Sequence, residues 1–346
     1  MTNAAYKQII AAPPRDRLDL FLATANRLGA PVGNIEKDFW VCWTLNALYH
    51  EQPANSPRLL FKGGTSLSKA HGLIHRFSED IDITVFRDDL GEAASVEELE
   101  ALSNKKRRAR LDAIRDACRG YITGQLREFL DAQLADATGG AGRIEIDEAD
   151  ADGQTLLVWY PEVEPRAGAY VRPVVRIESG AKSALDPNRP VTIRPYVSEE
   201  TAGLDLTVSD VTTIDAARTL WDKVVIAHGL CRWYERRGVL RQEGQRVSRH
   251  YYDLHCLLNS DVGRTALGDR DLGADCVRHA RMFFDRPDYD LASAAAGGFA
   301  ISPAEAMTEA LGRDYANTTA MIFGAAPSFE DILTSVAEIE RIINDT

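Results

Sequence analysis

The sequence predicts an α+β fold, a mixed sheet with helices packed on it followed by a helical C-terminal domain. Three observations predict it. Short β-rich runs (Leu59 to Phe61, Ile81 to Phe86, Arg143 to Ile146, Thr155 to Tyr160 and Tyr170 to Glu178) alternate with amphipathic stretches up to about residue 200. Beyond Pro187, Pro190 and Pro195 the apolar spacing becomes helical, which sets the domains at 1–200 and 201–346 with the boundary region at 185–212. The chain has 346 residues, 45% hydrophobic and 27% charged, enough for two domains of ordinary globular composition.

Taken in order, residues 15–28 and 34–50 read as helices. The second carries Ile35, Phe39, Trp40, Trp43, Leu45, Leu48 and Tyr49 as a core-facing set. Glu36, Lys37 and Asp38 fit a capped helix start, with pocket lining as the alternative. Leu59-Leu60-Phe61 is a short buried strand, Gly63-Gly64 a tight turn, and a helix begins at Thr65 or Ser66. The strand 81–86 follows. Lys105-Lys106-Arg107-Arg108-Ala109-Arg110, the densest basic run, precedes a long helix through Leu111, Ile114, Cys118, Tyr121, Ile122, Leu126, Phe129 and Leu130. Glycines 139, 140 and 142 end that helix, and three strands come next. A helix from Ile214 to Gly229, an arginine-rich connection from Arg232 to Arg246 and a helix at Ser248 to His255 begin the C-terminal part. No internal repeat is present.

Candidate chemistry concentrates at the first turn and the strand after it. Glycines let backbone approach a ligand closely, and amides freed at Gly63, Gly64 and Thr65 can cradle an anion, with the Ser66 hydroxyl adding a donor. Asp80 and Asp82 are two apart on a strand, so both project to one face and repel unless a cation lies between them. Opposite a phosphate-cradling turn, that cation is expected to be Mg²⁺ (or Mn²⁺) bridging to a nucleotide. Either feature alone is ordinary: a Gly-Gly turn is usually only a turn, and Asp-x-Asp is usually solvated. The run Gly63 to Lys69 lacks the Gly-x4-Gly-Lys-Ser/Thr spacing of a phosphate-loop kinase. His71 and His75 have metal-pair spacing but no evident third ligand. The formal net charge of −12 disfavours unspecific coating of nucleic acid but leaves room for a local basic groove. Five scattered cysteines fit buried thiols in a reducing cytoplasm, and no run has signal-peptide or membrane-span character.

In combination these residues resemble a known signature. A strand, a Gly-Gly/Ser turn, a helix and a strand with two acids are similar to the polymerase β-type nucleotidyltransferase fold. Gly63-Gly64-Thr65-Ser66-Leu67-Ser68-Lys69 with Arg76-Phe77-Ser78-Glu79-Asp80-Ile81-Asp82 resembles the AbiEii/AbiGii toxin family of type IV toxin–antitoxin and abortive-infection systems. Ile35 to Trp40, Leu220-Trp221-Asp222-Lys223, Arg249-His250-Tyr251-Tyr252-Asp253-Leu254 and the C-terminal Asp314-Tyr315, Met321 to Gly324 and Pro327 to Phe329 extend the likeness, thinly between about 88 and 170.

The resemblance implies transfer of NMP from an NTP to an acceptor, with pyrophosphate leaving. Asp80 and Asp82 would hold two divalent ions, spaced about 3.5–4 Å apart as such in-line displacements require. Glu178 would be the third acid, although a strand-end glutamate in water explains it nearly as well. Lys69, Lys223 and Arg249 would supply charge to the nucleotide phosphates, Arg249 alternatively pairing with Asp253. Lys223 and Asp253 are expected in the catalytic pocket, Asp253 either orienting the acceptor or positioning Lys223. The implied partners are an antitoxin encoded nearby and an RNA acceptor, foremost the end of a tRNA entering between the basic run at 105–110 and the arginines of 232–249. Modification of a small molecule or protein, and a non-catalytic nucleotide-binding module, remain open alternatives. The intact acid pair speaks against the last.

Overall fold

The structure is a computed structural model that describes residues 4–163, 172–241 and 246–345, the side chain of Ala320 excepted. In chain order the helices are α1 (Ala4–Ala11), α2 (Pro14–Leu28), α3 (Val32–Asn46), α4 (Gly63–Lys69), α5 (Val96–Glu100), α6 (Asn104–Tyr121), α7 (Arg127–Thr138), α8 (Ala216–Arg237), α9 (Arg249–Leu258), α10 (Asp261–Leu267), α11 (Arg270–Phe283), α12 (Glu305–Thr318) and α13 (Phe329–Asn344). The strands are β1 (Leu59–Lys62), β2 (Asp80–Val85), β3 (Arg143–Ile146), β4 (Thr155–Trp159), β5 (Val174–Gly180), β6 (Asn188–Ile193) and β7 (Val208–Ile214). They divide into two compact units, one of residues 1–70, 77–94 and 103–213, the other of 71–76, 95–102 and 214–346.

The first unit is built on a seven-stranded sheet in the order β3-β4-β5-β2-β1-β7-β6. Its centre is mixed: β2 runs antiparallel to β1 and parallel to β5, and β1 runs parallel to β7. The expected mixed sheet with packed helices is therefore present. β2 obeys the alternation of its sequence, burying Ile81 and Ile83 while Asp80 and Asp82 stay half-exposed. Helix α3 is buried nearly all round. Phe39 lies against Tyr6 and Phe21, and Trp40 stacks on Tyr160 with ring centroids 5.3 Å apart. α2 begins with Pro14 in its first turn and stops at Gly29 in the left-handed conformation.

Several elements depart from expectation. The stretch 185–212, read as an irregular linker, contains β6 and most of β7. Pro190 is tolerated because β6 is the outer strand and needs no amide toward solvent. The basic run lies inside the first turns of α6 rather than before a helix. The long helix continues through a π turn at Ile122–Leu126 into α7, which ends on left-handed Gly139. α3 opens at Val32 without a side-chain cap, so capping does not account for its three charges. The strand expected from Tyr170 is seen from Val174 onward; Tyr170 and Val171 lie outside the described residues, as does the 242–245 part of the arginine-rich connection.

The second unit is helical. α8 is capped by Asp215, whose side chain accepts the Ala217 amide, and passes straight through Gly229 to a C-cap at Gly238. Gly229 is a packing glycine rather than a stop, since a Cβ there would meet the Tyr289 ring at 3.2 Å. α8 packs against α9, α10 and α11, and α9 against α13. α13 begins with a capping box between Ser328 and Asp331. Among the described residues no helix is long and apolar enough to cross a membrane.

Candidate functional site

The site begins in the register of three strands. Lys62 on β1 lies opposite Asp82 on β2, and Asp82 lies beside Glu178 on β5. One row above, Asp80 neighbours Arg176. Residues paired across adjacent strands share a face, so Asp80, Asp82 and Glu178 project to the same side of the sheet. Arg176 was missed in the sequence, although its place two before Glu178 puts it on that face. It binds Glu178 at 3.0 Å and Asp147 at 2.7 Å, which draws Glu178 to a cation of the protein itself.

The glycine turn meets this row directly. Gly63 takes φ +76°, a left-handed value, and a Cβ built there would fall 1.9 Å from the Asp82 carboxylate. Both constraints demand glycine at 63. α4 starts at Gly63, two residues earlier than expected, and Gly64 follows half-buried. Thr65 is fully buried and ties the turn to the acid strand: its hydroxyl donates to the Asp80 carbonyl and lies 2.8 Å from the Ser78 hydroxyl. Ser66 donates to the Gly63 carbonyl at 2.8 Å, closing the turn.

Asp80 has its pKa raised, first by burial and then by the charges of Glu79 and Asp82. That cost falls when a cation sits between the carboxylates, so the two aspartates suit a hard divalent ion. Among the described residues no group of three His, Cys, Asp or Glu is gathered as a metal cluster, and Glu178 stands on the neighbouring strand paired with Arg176.

Lys69 differs from expectation. Its side chain is buried, and its ammonium lies 2.6 Å from Asp38 and 3.7 Å above the Tyr196 ring. Burial lowers its pKa, but Asp38 outweighs that and holds the lysine charged. The ammonium is committed within the protein rather than presented to a phosphate. His71 falls beyond the end of α4 and bonds the Ile214 carbonyl at 3.0 Å, so the helical His71–His75 spacing is absent.

In the second unit, Lys223 on α8 and Asp253 on α9 meet at 2.7 Å. Arg76 joins them, its Nε and Nη2 donating to Asp253 at 2.8 and 2.9 Å. Asp253 is fully buried; burial raises its pKa, yet Arg76 and Lys223 together hold it well below the usual carboxylate range. Lys223 is lowered, by burial first and also by Arg76 and Arg249, against the pull of Asp253. Arg249 opens α9 half-exposed. The cluster therefore holds two buried cations on one buried anion, with Arg249 close enough to add to the positive potential.

Among solved structures, MenT4, a nucleotidyltransferase toxin from Mycobacterium tuberculosis H37Rv, resembles the chain with a TM-score of 0.52 and 16% identity, over 94% of this chain and 90% of that one. At that identity the likeness speaks for the fold. No curated protein matches the sequence. The family described as "Nucleotidyl transferase AbiEii toxin, Type IV TA system" matches residues 46–335, a span that takes in the glycine turn, both aspartates and the Lys223–Asp253 pair. The chain thus belongs to the AbiEii family, the nucleotidyltransferase toxins of type IV toxin–antitoxin systems.

Proposed function

We propose that this toxin transfers an NMP from an NTP to an RNA acceptor, foremost the end of a tRNA, and that Asp80 and Asp82 are its central acids. The observation that carries the reading is the row Lys62–Asp82–Glu178, against which Gly63 packs with no room for a side chain. The glycine turn lies against the Asp82 carboxylate, and the acids face the same side of the sheet.

Asp80 and Asp82 would hold divalent metal, with Mg²⁺ the expected ion, two ions the expected number and Glu178 a further ligand on release from Arg176. The metal would supply Lewis acidity at the attacking and leaving oxygens. The chain's own part is positional. The amides at Gly63, Gly64 and Thr65 would hold the leaving phosphates, with the Ser66 hydroxyl closing the turn onto the Gly63 carbonyl, while Lys223 and Arg249 would add positive charge and Asp253 would keep Lys223 in place. The exposed cations Lys105, Lys106 and Arg108 supply a local surface for a polyanion on an otherwise acidic protein. The toxin class implies an antitoxin as partner.

The test is incubation with each labelled NTP, Mg²⁺ and total bacterial RNA and protein, with Asp80→Asn as control. Label in small RNA, lost in the control, is the expected result. Label in protein or small molecules would overturn the RNA acceptor, and equal labelling by Asp80→Asn would overturn the site.

A further inference from the structure

The start of α3 carries three charges to which the transfer chemistry assigns no role. Glu36, Lys37 and Asp38 are consecutive, so their side chains leave the helix about 100° apart. All three are nevertheless buried, at 2–3% exposure. Each holds a different segment. Glu36 accepts the Val163 amide at 2.7 Å. Lys37 donates to Glu79 at 2.8 Å. Asp38 receives the Lys69 ammonium at 2.6 Å on one oxygen and the Tyr196 amide at 2.7 Å on the other. Two of these segments belong to the site. Lys69 is the last residue of α4, whose first residues are the glycine turn, and Glu79 immediately precedes Asp80.

Stability alone does not call for these charges. A buried ion pair gives up hydration that a well-packed apolar pair never needed, and exchange for apolar residues is often neutral or stabilising. The rest of α3 is already packed with Phe39, Trp40 and Trp43. What an ion pair adds is a fixed partner at a fixed distance. α4 needs such a reference, because seven residues are too few to hold a helix direction by themselves.

We propose that Lys37 and Asp38 are positioning residues for nucleotidyl transfer: Asp38 sets the glycine turn through Lys69, and Lys37 sets the acid strand through Glu79. The proposal rests on the reading of Asp80 and Asp82 as the site's acids. It makes Lys69 a tie between helices instead of a phosphate ligand.

The test is steady-state kinetics on the full chain, with NTP binding followed separately by calorimetry. Lys37→Met is expected to lower kcat by about 10- to 100-fold, the scale of a small misplacement of reacting groups, with KM for NTP within about threefold. Asp38→Asn is expected to raise KM and the NTP Kd about tenfold, with the smaller effect on kcat. Lys37→Arg keeps a cation for Glu79 and should restore most of kcat. The double variant Lys37→Met/Glu79→Leu exchanges the ion pair for apolar packing; it should recover the melting temperature but not kcat, and it carries the test if Lys37→Met does not fold. Equal losses in both parameters for both single variants, or kcat regained by the double variant, overturn the proposal. Wild-type transfer by Asp80→Asn would instead overturn the function on which it rests.

Discussion

A single methyl group at Gly63 would reach the Asp82 carboxylate. Alanine there must adopt a left-handed backbone, at about 1–2 kcal/mol, and its Cβ must displace the Asp82 carboxylate. Gly63→Ala should therefore lower the melting temperature and cut transfer about 100-fold, measured by thermal unfolding and labelled-NTP assay. Asp80 gives the opposite stability sign. Its folded pKa is raised, so the charged form is disfavoured by folding at neutral pH. Asp80→Asn should abolish transfer while raising the melting temperature of the metal-free protein by roughly 1–4 °C. Asp253 behaves like neither. Removing it by Asp253→Ala leaves Arg76 and Lys223 buried without their anion, at about 3–5 kcal/mol. Its folded pKa is depressed, so its contribution is complete above the unfolded value of about 3.9 and is lost as pH falls below that toward the folded value. Urea unfolding of wild type and Asp253→Asn should accordingly show a wide gap at pH 7 that narrows below about pH 4.

Among the described helices, α6 gathers the densest run of charge against its own dipole. Lys105, Lys106, Arg107 and Arg108 fill its first turns, no acidic residue stands there, and Ser103 makes no side-chain cap. Cations at the positive end of a helix cost about 0.3–1 kcal/mol each. Arg110 is bound to Glu92 and the Ala93 carbonyl, and the exposed Lys105, Lys106 and Arg108 define the basic end. Lys105→Glu/Lys106→Glu should raise thermal stability while weakening RNA binding, and flatten its salt dependence by roughly 0.7–0.9 log units for each phosphate no longer bound. An unchanged salt slope would separate this end of α6 from the acceptor. Legibility in the sequence follows the range of the forces at each element. β1, β2 and the acid pair were readable because alternation and a glycine turn are local signals. β6 was hidden by Pro190, which only an outer strand tolerates, and the length of α8 by Gly229, whose reason is the distant Tyr289 ring. Lys69 is illegible for the same cause. The resemblance implies a lysine for phosphate at this position, while the Asp38 that holds it is 31 residues earlier in the chain.

At the scale of the whole molecule, the two units are interleaved in sequence. Residues 71–76 and 95–102 lie within the first half of the chain yet belong to the helical unit. A truncation after residue 213 would keep Arg76 while deleting both Asp253 and Lys223, and would leave Glu97 and Glu100 without Arg278. Such a fragment should be poorly soluble and show a broadened, lowered thermal transition by circular dichroism, although it retains every strand but the last residue of β7. The Arg76–Asp253 pair has a further consequence during synthesis on the ribosome. The arginine is made 177 residues before its aspartate, a wait of roughly 9–35 s at bacterial translation speeds of about 5–20 residues per second. Through that interval the segment joining the glycine turn to the acid strand lacks its anchor. A nascent toxin is thus held short of its finished form until most of its length has been translated.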